Sequence, residues 1–518
     1  MTPERSIDRT RYRAIFWVVL GSAILDRLIL LLVFGIAHTG TDDVLFWNVA
    51  ADMAQGIFRE PFLYGQNYNP AIESLLAVPL LWCGMPLHIA MPVVTSVLAL
   101  LPFLSFAAWH YRRNELAMAT LFAGMPVLLP VEWGMMTMTT RGFVTGLAFM
   151  APLPWLLALR RSWLRSLLIG AVLYTSLIAN QNALLVAAPF ALWYALRPGT
   201  TWMDRLAGIA GALPPLLLQV LALRFYAREP ERIVHRLDDW RLTFHPGELI
   251  PEALQQLDRH FAWLAPLSWP YGHLVLIMLL AVSLWLWTTG QRYPALSVAS
   301  VFPVILLSFA FPKVHDGFDS VFLPFSRMYL ALPLLLVWAL SLGKWKVTMA
   351  RTLAFALLLA VPLCVALKLN HTPHVLTAAL DGQQAIPVRE LSMTAFRQQL
   401  EKIDSTASQH KVDLIIALDS GDKFRSQLIA YGGPVVAPSL PPTLYVGIDR
   451  RYWRRQEERA ARRSTILFVG GETERWDMLM GTEPGLIRIG DAEDRLHLLT
   501  GEPLAIDSVL ALLGRTLD

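Results

Sequence analysis

Long apolar runs broken by short polar turns dominate the chain from residue 14 to residue 369. They predict transmembrane helices near 14–37, 87–110, 115–131, 140–159, 166–179, 183–196, 206–226, 271–289, 294–312, 325–342 and 347–369. The apolar run at 71–84 is too short to cross comfortably, because a spanning helix needs about 20 residues. It reads as an interfacial or re-entrant helix. Beyond residue 370 the period changes. Strand-like runs at Asp413–Leu418, Thr443–Val446 and Thr465–Val469 alternate with helical patterns at 393–405, 451–462 and 505–516. That alternation predicts a small α/β domain. The expected fold class is a polytopic α-helical membrane protein of about 11 transmembrane helices, with interfacial helices in the first external loop and a small C-terminal extracytoplasmic α/β domain. The expected domains are 1–369, with its first external loop at 38–86, and 370–518.

Composition agrees with a membrane setting. Of 518 residues, 55% are hydrophobic and only 16% charged, against about 25% charged in soluble domains. Cys83 and Cys364 both fall in apolar stretches and imply no disulfide framework. Arg5, Arg9, Arg11 and Arg13 precede an apolar span too long for a signal-peptide core, which reads as a retained first helix. With the N-terminus cytoplasmic, Arg112, Arg113, Arg160, Arg161, Arg165, Arg197, Arg205, Arg292, Lys344, Lys346 and Arg351 all fall on the inner side. The outer side then holds 38–86, a loop near 227–270, and the region from about 370. The arginine-rich stretch Arg450–Arg463 reads first as a solvated helix face, with contact to anionic headgroups or an anionic acceptor as the alternative. No repeat, low-complexity tract or nucleotide-binding glycine motif is present, and nucleic acid is not an expected partner.

The candidate chemistry begins at Thr41-Asp42-Asp43. The following Leu45, Phe46, Val49, Ala50 and Met53 describe an amphipathic interfacial helix with Asn48, Asp52 and Gln55 on its wet face. Two carboxylates at a membrane surface suit acid–base work. They equally suit helix capping. Like charges side by side raise the pKa of one of the pair, and a divalent cation is the one cofactor such a pair leaves open, although two adjacent carboxylates alone are a weak metal signal. Asp26 and Arg27 sit mid-span, where an unpartnered charge costs about 2.5–3.5 kcal/mol, so each requires a partner from another helix. Arg327 lies at the outer end of a span, and its guanidinium pairs bidentately with phosphate oxygens. Lys313 and His315 share that external turn. Tyr64, Gln66 and Tyr68 offer hydroxyl, amide and ring contacts of the kind a binding pocket uses, and Glu73 is a second acidic candidate. His235, His245 and His260 have no metal-ligand spacing.

The run Asp42 to Gly56 resembles the Asp-Glu-x-x-Tyr-Tyr…Ala…Leu-Ala-x-Gly stretch in the first external loop of GT-C superfamily glycosyltransferases, which include the protein O-mannosyltransferase and aminoarabinose transferase group. Tyr64 to Leu80 is similar to the Tyr-Gly-Gln-x-Tyr…Leu-Glu-x-x-Leu-Ala-x-Pro-Leu pattern of bacterial members, and Ser326 to Pro333 to their Arg-Tyr-Leu-x-Pro helix start. Arg27 is similar to a basic residue that many members place in the first span. Departures are Asp43 where Glu is usual, the aromatic pair Phe46-Trp47 shifted by one, and Met328 between Arg327 and Tyr329. The resemblance implies a membrane glycosyltransferase of the cytoplasmic (inner) membrane, moving a monosaccharide from a polyprenyl-phosphate donor to an extracytoplasmic glycan, lipid or protein acceptor by an inverting displacement. It implies Asp42 as general base with Asp43 beside it, and Arg327, Lys313 and His315 at the donor phosphate. The competing reading is a transporter or flippase of lipid-linked sugars, against which the chain shows no matched halves with Gly/Pro-interrupted helices. A third is an inactive scaffold.

Overall fold

The computed structural model describes residues 3–236, 241–380, 391–418, 423–447, 449–471, 476–477, 479–480, 485–489 and 495–514. Residues 237–240 of the expected loop near 227–270, and 515–516 of the last expected helix, lie outside the described residues. The chain divides into two compact units that are discontinuous in sequence. One gathers 1–35, 92–221 and 237–384, and the other 36–91, 222–236 and 385–518.

The first unit is helical. Five helices are long and apolar enough to cross a membrane: Arg9–Gly35, Leu87–Arg112, Ser162–Ala179, Trp202–Arg228 and Val347–Ala378. The other six expected spans appear as shorter apolar stretches. Leu116–Leu128 is buried along its whole length between Pro3–Leu30 and Val347–Leu380, which makes it the axis of the core. The outward side chains are apolar too. Trp17, Leu25, Leu217, Leu218 and Leu359 are all exposed, as a lipid-facing surface requires.

The expected span at 140–159 is not one helix. It breaks into Thr145–Ala148 and Leu153–Leu156 joined by turns. Pro152 and Pro154 interrupt the helical ladder in its second half, and in its first half asparagine side chains serve carbonyls that precede helix Thr145–Ala148. Asn180 Nδ2 donates to Gly142 O at 2.8 Å and Asn182 Nδ2 to Phe143 O at 2.7 Å. Irregular backbone is tolerated at membrane depth when it is buried in protein in this way. Hydropathy alone reads such a segment as continuous, since most of its residues are apolar.

The mid-span charges have the partners that burial demands. Lys368 Nζ lies 3.1 Å from Asp26 Oδ2. Arg27 donates from Nε to Ser96 Oγ at 2.5 Å, from Nη1 to Gly134 O at 3.0 Å and Thr137 Oγ1 at 2.9 Å, and from Nη2 to Thr137 O at 2.8 Å.

The second unit holds the strands. β1 (His38–Thr39) pairs antiparallel with β2 (Leu391–Ser392), His38 opposite Ser392. β3 (Leu414–Leu418), β4 (Thr443–Val446), β5 (Arg462–Gly470), β6 (Leu486–Ile489) and β7 (Leu496–Ala505) form one sheet in the order β4-β3-β5-β7-β6. The β4-β3-β5 portion is parallel, and β7 pairs antiparallel with both β5 and β6. Every residue of β3 is buried, as expected for the centre of a parallel set covered on both faces. Helix Thr41–Ala54 packs against Ile72–Trp82 and Lys423–Val436.

Candidate functional site

The N-terminus of helix Thr41–Ala54 separates the two carboxylates by role. Asp43 lies at the third helical position and reaches back, so that the Gly40 N–H donates to its Oδ2 at 3.0 Å. It is 6% exposed. This is the return half of a capping box, satisfying a donor outside the helical ladder. Asp42 instead points to Arg450, whose Nη1 lies 3.1 Å from Asp42 Oδ1, and the Asp42 side chain remains 34% accessible. Of the pair, Asp42 keeps the open carboxylate.

Arg450 follows β4 at the C-terminal end of the parallel strands. Its backbone N–H donates to Tyr431 Oη at 3.3 Å, and its Cβ lies against Gly65, where an added Cβ would come within 2.9 Å and φ is +74°. Glycine there fits both the left-handed turn and the close approach. Its neighbours are equally anchored. Arg451 binds Asp449 at 2.8 Å and is 2% exposed. Arg455, also buried, donates to Glu231 O at 2.9 Å, and Arg463 pairs with Glu458 at 2.9 Å. The expected solvated basic face is corrected on this point: much of its charge is turned inward and paired.

Helix Thr41–Ala54 turns the apolar positions of the sequence reading against protein. Val44, Leu45, Phe46, Trp47, Val49 and Ala50 are all buried, because helices cover it from two sides. The expected wet face is partly engaged. Asn48 Nδ2 donates to Tyr431 O at 2.6 Å. Asp52 accepts from Tyr64 Oη at 2.6 Å and Arg59 Nε at 2.8 Å.

The hydroxyl of Tyr64, an expected binding residue, is thus engaged by Asp52. Tyr64 is 1% exposed, lies edge-on to Trp453 at 4.3 Å, and its hydroxyl is raised above its ordinary pKa by burial and then by the Asp52 charge. Glu73 is fully buried as well. Tyr68 is half-buried. Gln66 forms a parallel bridge to His235, and its buried Oε1 accepts no hydrogen bond among the described residues. Nearby, burial pushes the Glu60 carboxyl up to about 7 against the opposing charge of Arg232. Tyr226 Oη donates to Glu60 at 3.3 Å.

In the first unit, Arg327 and Lys313 come together at Asp316. Asp316 Oδ2 lies 3.2 Å from Arg241 Nη1, 3.5 Å from Lys313 Nζ and 3.7 Å from Arg327 Nη2. Arg327 is 3% exposed and donates from Nη1 to Pro324 O at 3.0 Å. Gly317 fits the crowding, since a Cβ there would come within 2.6 Å of the Phe325 backbone and 2.9 Å of Arg327 Nη1. Burial would raise Asp316, yet Arg327, Lys313 and Arg241 together hold it below its ordinary pKa. Burial first, then the Arg327 charge, bring Lys313 down to about 8. Guanidinium and ammonium groups gathered in this way are of the kind that bind an anion.

His315 does not join them. Its Nε2–H donates to Phe309 O at 2.9 Å and its ring stands 5.0 Å from that of His260. His260 is buried and pushed down to about 3 by burial and then by His315 and Arg259, which keeps it neutral. Arg241, Asp316 and Arg450 were missed in the sequence. Arg241 and Asp316 lie in polar turns with no motif, and the role of Arg450 was hidden within a charge run. No group of three His, Cys, Asp or Glu side chains able to hold a metal ion occurs among the described residues.

The fold is similar to that of ArnT from Cupriavidus metallidurans. Against the crystal structure of that protein bound to undecaprenyl phosphate the TM-score is 0.54 at 13% identity, covering 93% of this chain and 97% of the other. Against its apo state the values are 0.55 and 14%, covering 94% and 98%. No protein-family model matches the sequence, and no curated protein matches it. At those identities the likeness shows the fold alone.

Proposed function

We propose that this chain is a multi-pass membrane glycosyltransferase that moves a monosaccharide from a polyprenyl-phosphate donor to an extracytoplasmic glycolipid, lipopolysaccharide or protein. The observation that carries the reading is the convergence of Arg241, Lys313 and Arg327 on the single carboxylate of Asp316. The fold likeness to a protein crystallised with undecaprenyl phosphate supports the donor class. In this reading the cations stabilise the phosphate as it leaves with the electron pair of the C1–O bond. The acceptor oxygen bonds C1 from the opposite face, and Asp42 takes the acceptor proton. Arg450 acts as a positioning residue that holds Asp42 in one rotamer. Asp43 supports the helix end from which Asp42 projects, and Tyr68, Gln66 and Glu73 belong to the surroundings of the sugar. The protein sits in the inner membrane with its N-terminus cytoplasmic, and 38–86 and 370–518 extracytoplasmic.

The test is transfer from radiolabelled polyprenyl-phosphate sugars by purified protein, comparing wild type with Asp42→Asn, with and without a chelator. General-base catalysis contributes about 10²–10⁴-fold, so turnover in Asp42→Asn falls by at least about 10² while donor binding persists. Normal turnover in that variant overturns the base assignment. Binding without cleavage of any sugar by wild type moves the carrier reading ahead.

A further inference from the structure

A cavity of about 530 Å³ opens in the first unit among Arg9, Tyr12, Glu115, Leu116, Trp345 and Arg351. Its position follows from the elements that line it. Arg9 begins one candidate span and Leu116 an apolar helix, Ser341 ends another, and Val347 begins the last long span. A cavity bounded by the ends of four apolar helices lies at the depth of a bilayer surface. The helix Leu332–Ser341 rises about 15 Å between it and the Arg327 cluster, so this is a separate place.

The walls are chemically graded. Arg9 and Arg351 are exposed, and Arg112, Arg113, Lys344 and Lys346 are exposed close by in sequence. The wall carboxylate, Glu115, is engaged by His110 at 2.6 Å and Arg113 at 2.9 Å. Tyr12 and Trp345 are half-buried amphipathic rings of the kind that sit at headgroup level. Trp345 is fixed by Nε1–H donation to Leu340 O at 2.8 Å and by Trp285 at 5.3 Å. From this rim the helix Val347–Leu380 exposes Phe355, Leu359 and Leu363, a track for an acyl chain.

We infer that this cavity binds the headgroup of an anionic phospholipid, with the phosphate at Arg9 and Arg351. Basic pockets between the ends of membrane helices recognise such headgroups. The inference stands apart from the glycosyltransferase reading.

The experiment is native mass spectrometry of the full chain in a zwitterionic detergent, titrated with phosphatidylglycerol or phosphatidylcholine, and with inorganic phosphate as competitor. Removing two arginines at a membrane surface is expected to weaken phosphatidylglycerol binding about thirtyfold in the double variant Arg9→Ala/Arg351→Ala. Arg160→Ala/Arg161→Ala removes equally exposed charge elsewhere and is expected to leave binding nearly unchanged. Arg9→Lys/Arg351→Lys keeps the charge and retains binding, which guards against a misfolded alanine variant. An equal loss in the Arg160/Arg161 control overturns the inference in favour of bulk surface charge. Equal affinity for phosphatidylcholine overturns it too, as does full displacement of phosphatidylglycerol by millimolar inorganic phosphate, or loss of binding in the folded lysine pair.

Discussion

Arg27 and Arg327 are both nearly buried guanidiniums of the first unit, at 7% and 3% exposure, yet they are held in opposite ways. Arg27 sends four hydrogen bonds to neutral acceptors on two neighbouring segments, a closed arrangement that ties those segments together. Arg327 shares Asp316 with two other cations, and its own separation from that carboxylate is a loose 3.7 Å. A guanidinium closed by several neutral acceptors ties its segments together, whereas one that shares a carboxylate with other cations is held through charge.

Substitution at the two arginines gives the sharpest break. Arg27→Ala is expected to destabilise by at least about 3 kcal/mol, since hydrogen bonds to a charged group contribute about 1.5–3 kcal/mol each. Thermal unfolding and monodispersity in detergent would report it. Arg327→Ala is expected to leave the melting temperature nearly unchanged, because it relieves crowding around Asp316, while lowering turnover about 10²–10³-fold. Equal destabilisation by both substitutions would erase the distinction.

The pH dependence sharpens the same contrast. Lys313 is brought down to about 8, so donor affinity should weaken as pH rises through about 8 and that ammonium is lost. Stability should move the other way. Between about 8 and the ordinary lysine value the unfolded chain holds the proton and the folded chain does not, so stability rises with pH. Lys313→Arg stays charged and should abolish the inflection in a binding titration. An unchanged inflection would assign it to another group.

The smallest effect lies at the helix end. Asp43→Ala removes the acceptor for the Gly40 N–H and should cost about 1 kcal/mol in chemical unfolding. Turnover should change far less than in Asp42→Asn. A larger loss of turnover than in Asp42→Asn would exchange the roles of the two carboxylates.

Much of this was legible in local pattern. The apolar runs located the long helices, and the parallel strands were placed to within a residue or a few. The rest depends on distance along the chain. Asp316 and Arg241 are 75 residues apart in the numbering, and no periodicity links two polar turns. The break within 140–159 was hidden because hydropathy reports burial and not helical continuity. Tyr64 fitted a motif, but its enclosure by Asp52 and Trp453 is tertiary. In the arginine-rich stretch, composition showed the charge without showing that partners as remote as Asp42 and Glu231 engage it.

The ion pair between Asp42 and Arg450 spans 408 residues of sequence, and the β1–β2 ladder just before Asp42 likewise waits for Leu391 and Ser392. On a ribosome adding about 5–20 residues per second, Asp42 emerges tens of seconds before its partner exists. A nascent chain inserted in the membrane therefore carries the carboxylate without the group that orients it, and a chain released before residue 450 never acquires it. Translation itself sets the delay before Asp42 can meet its partner.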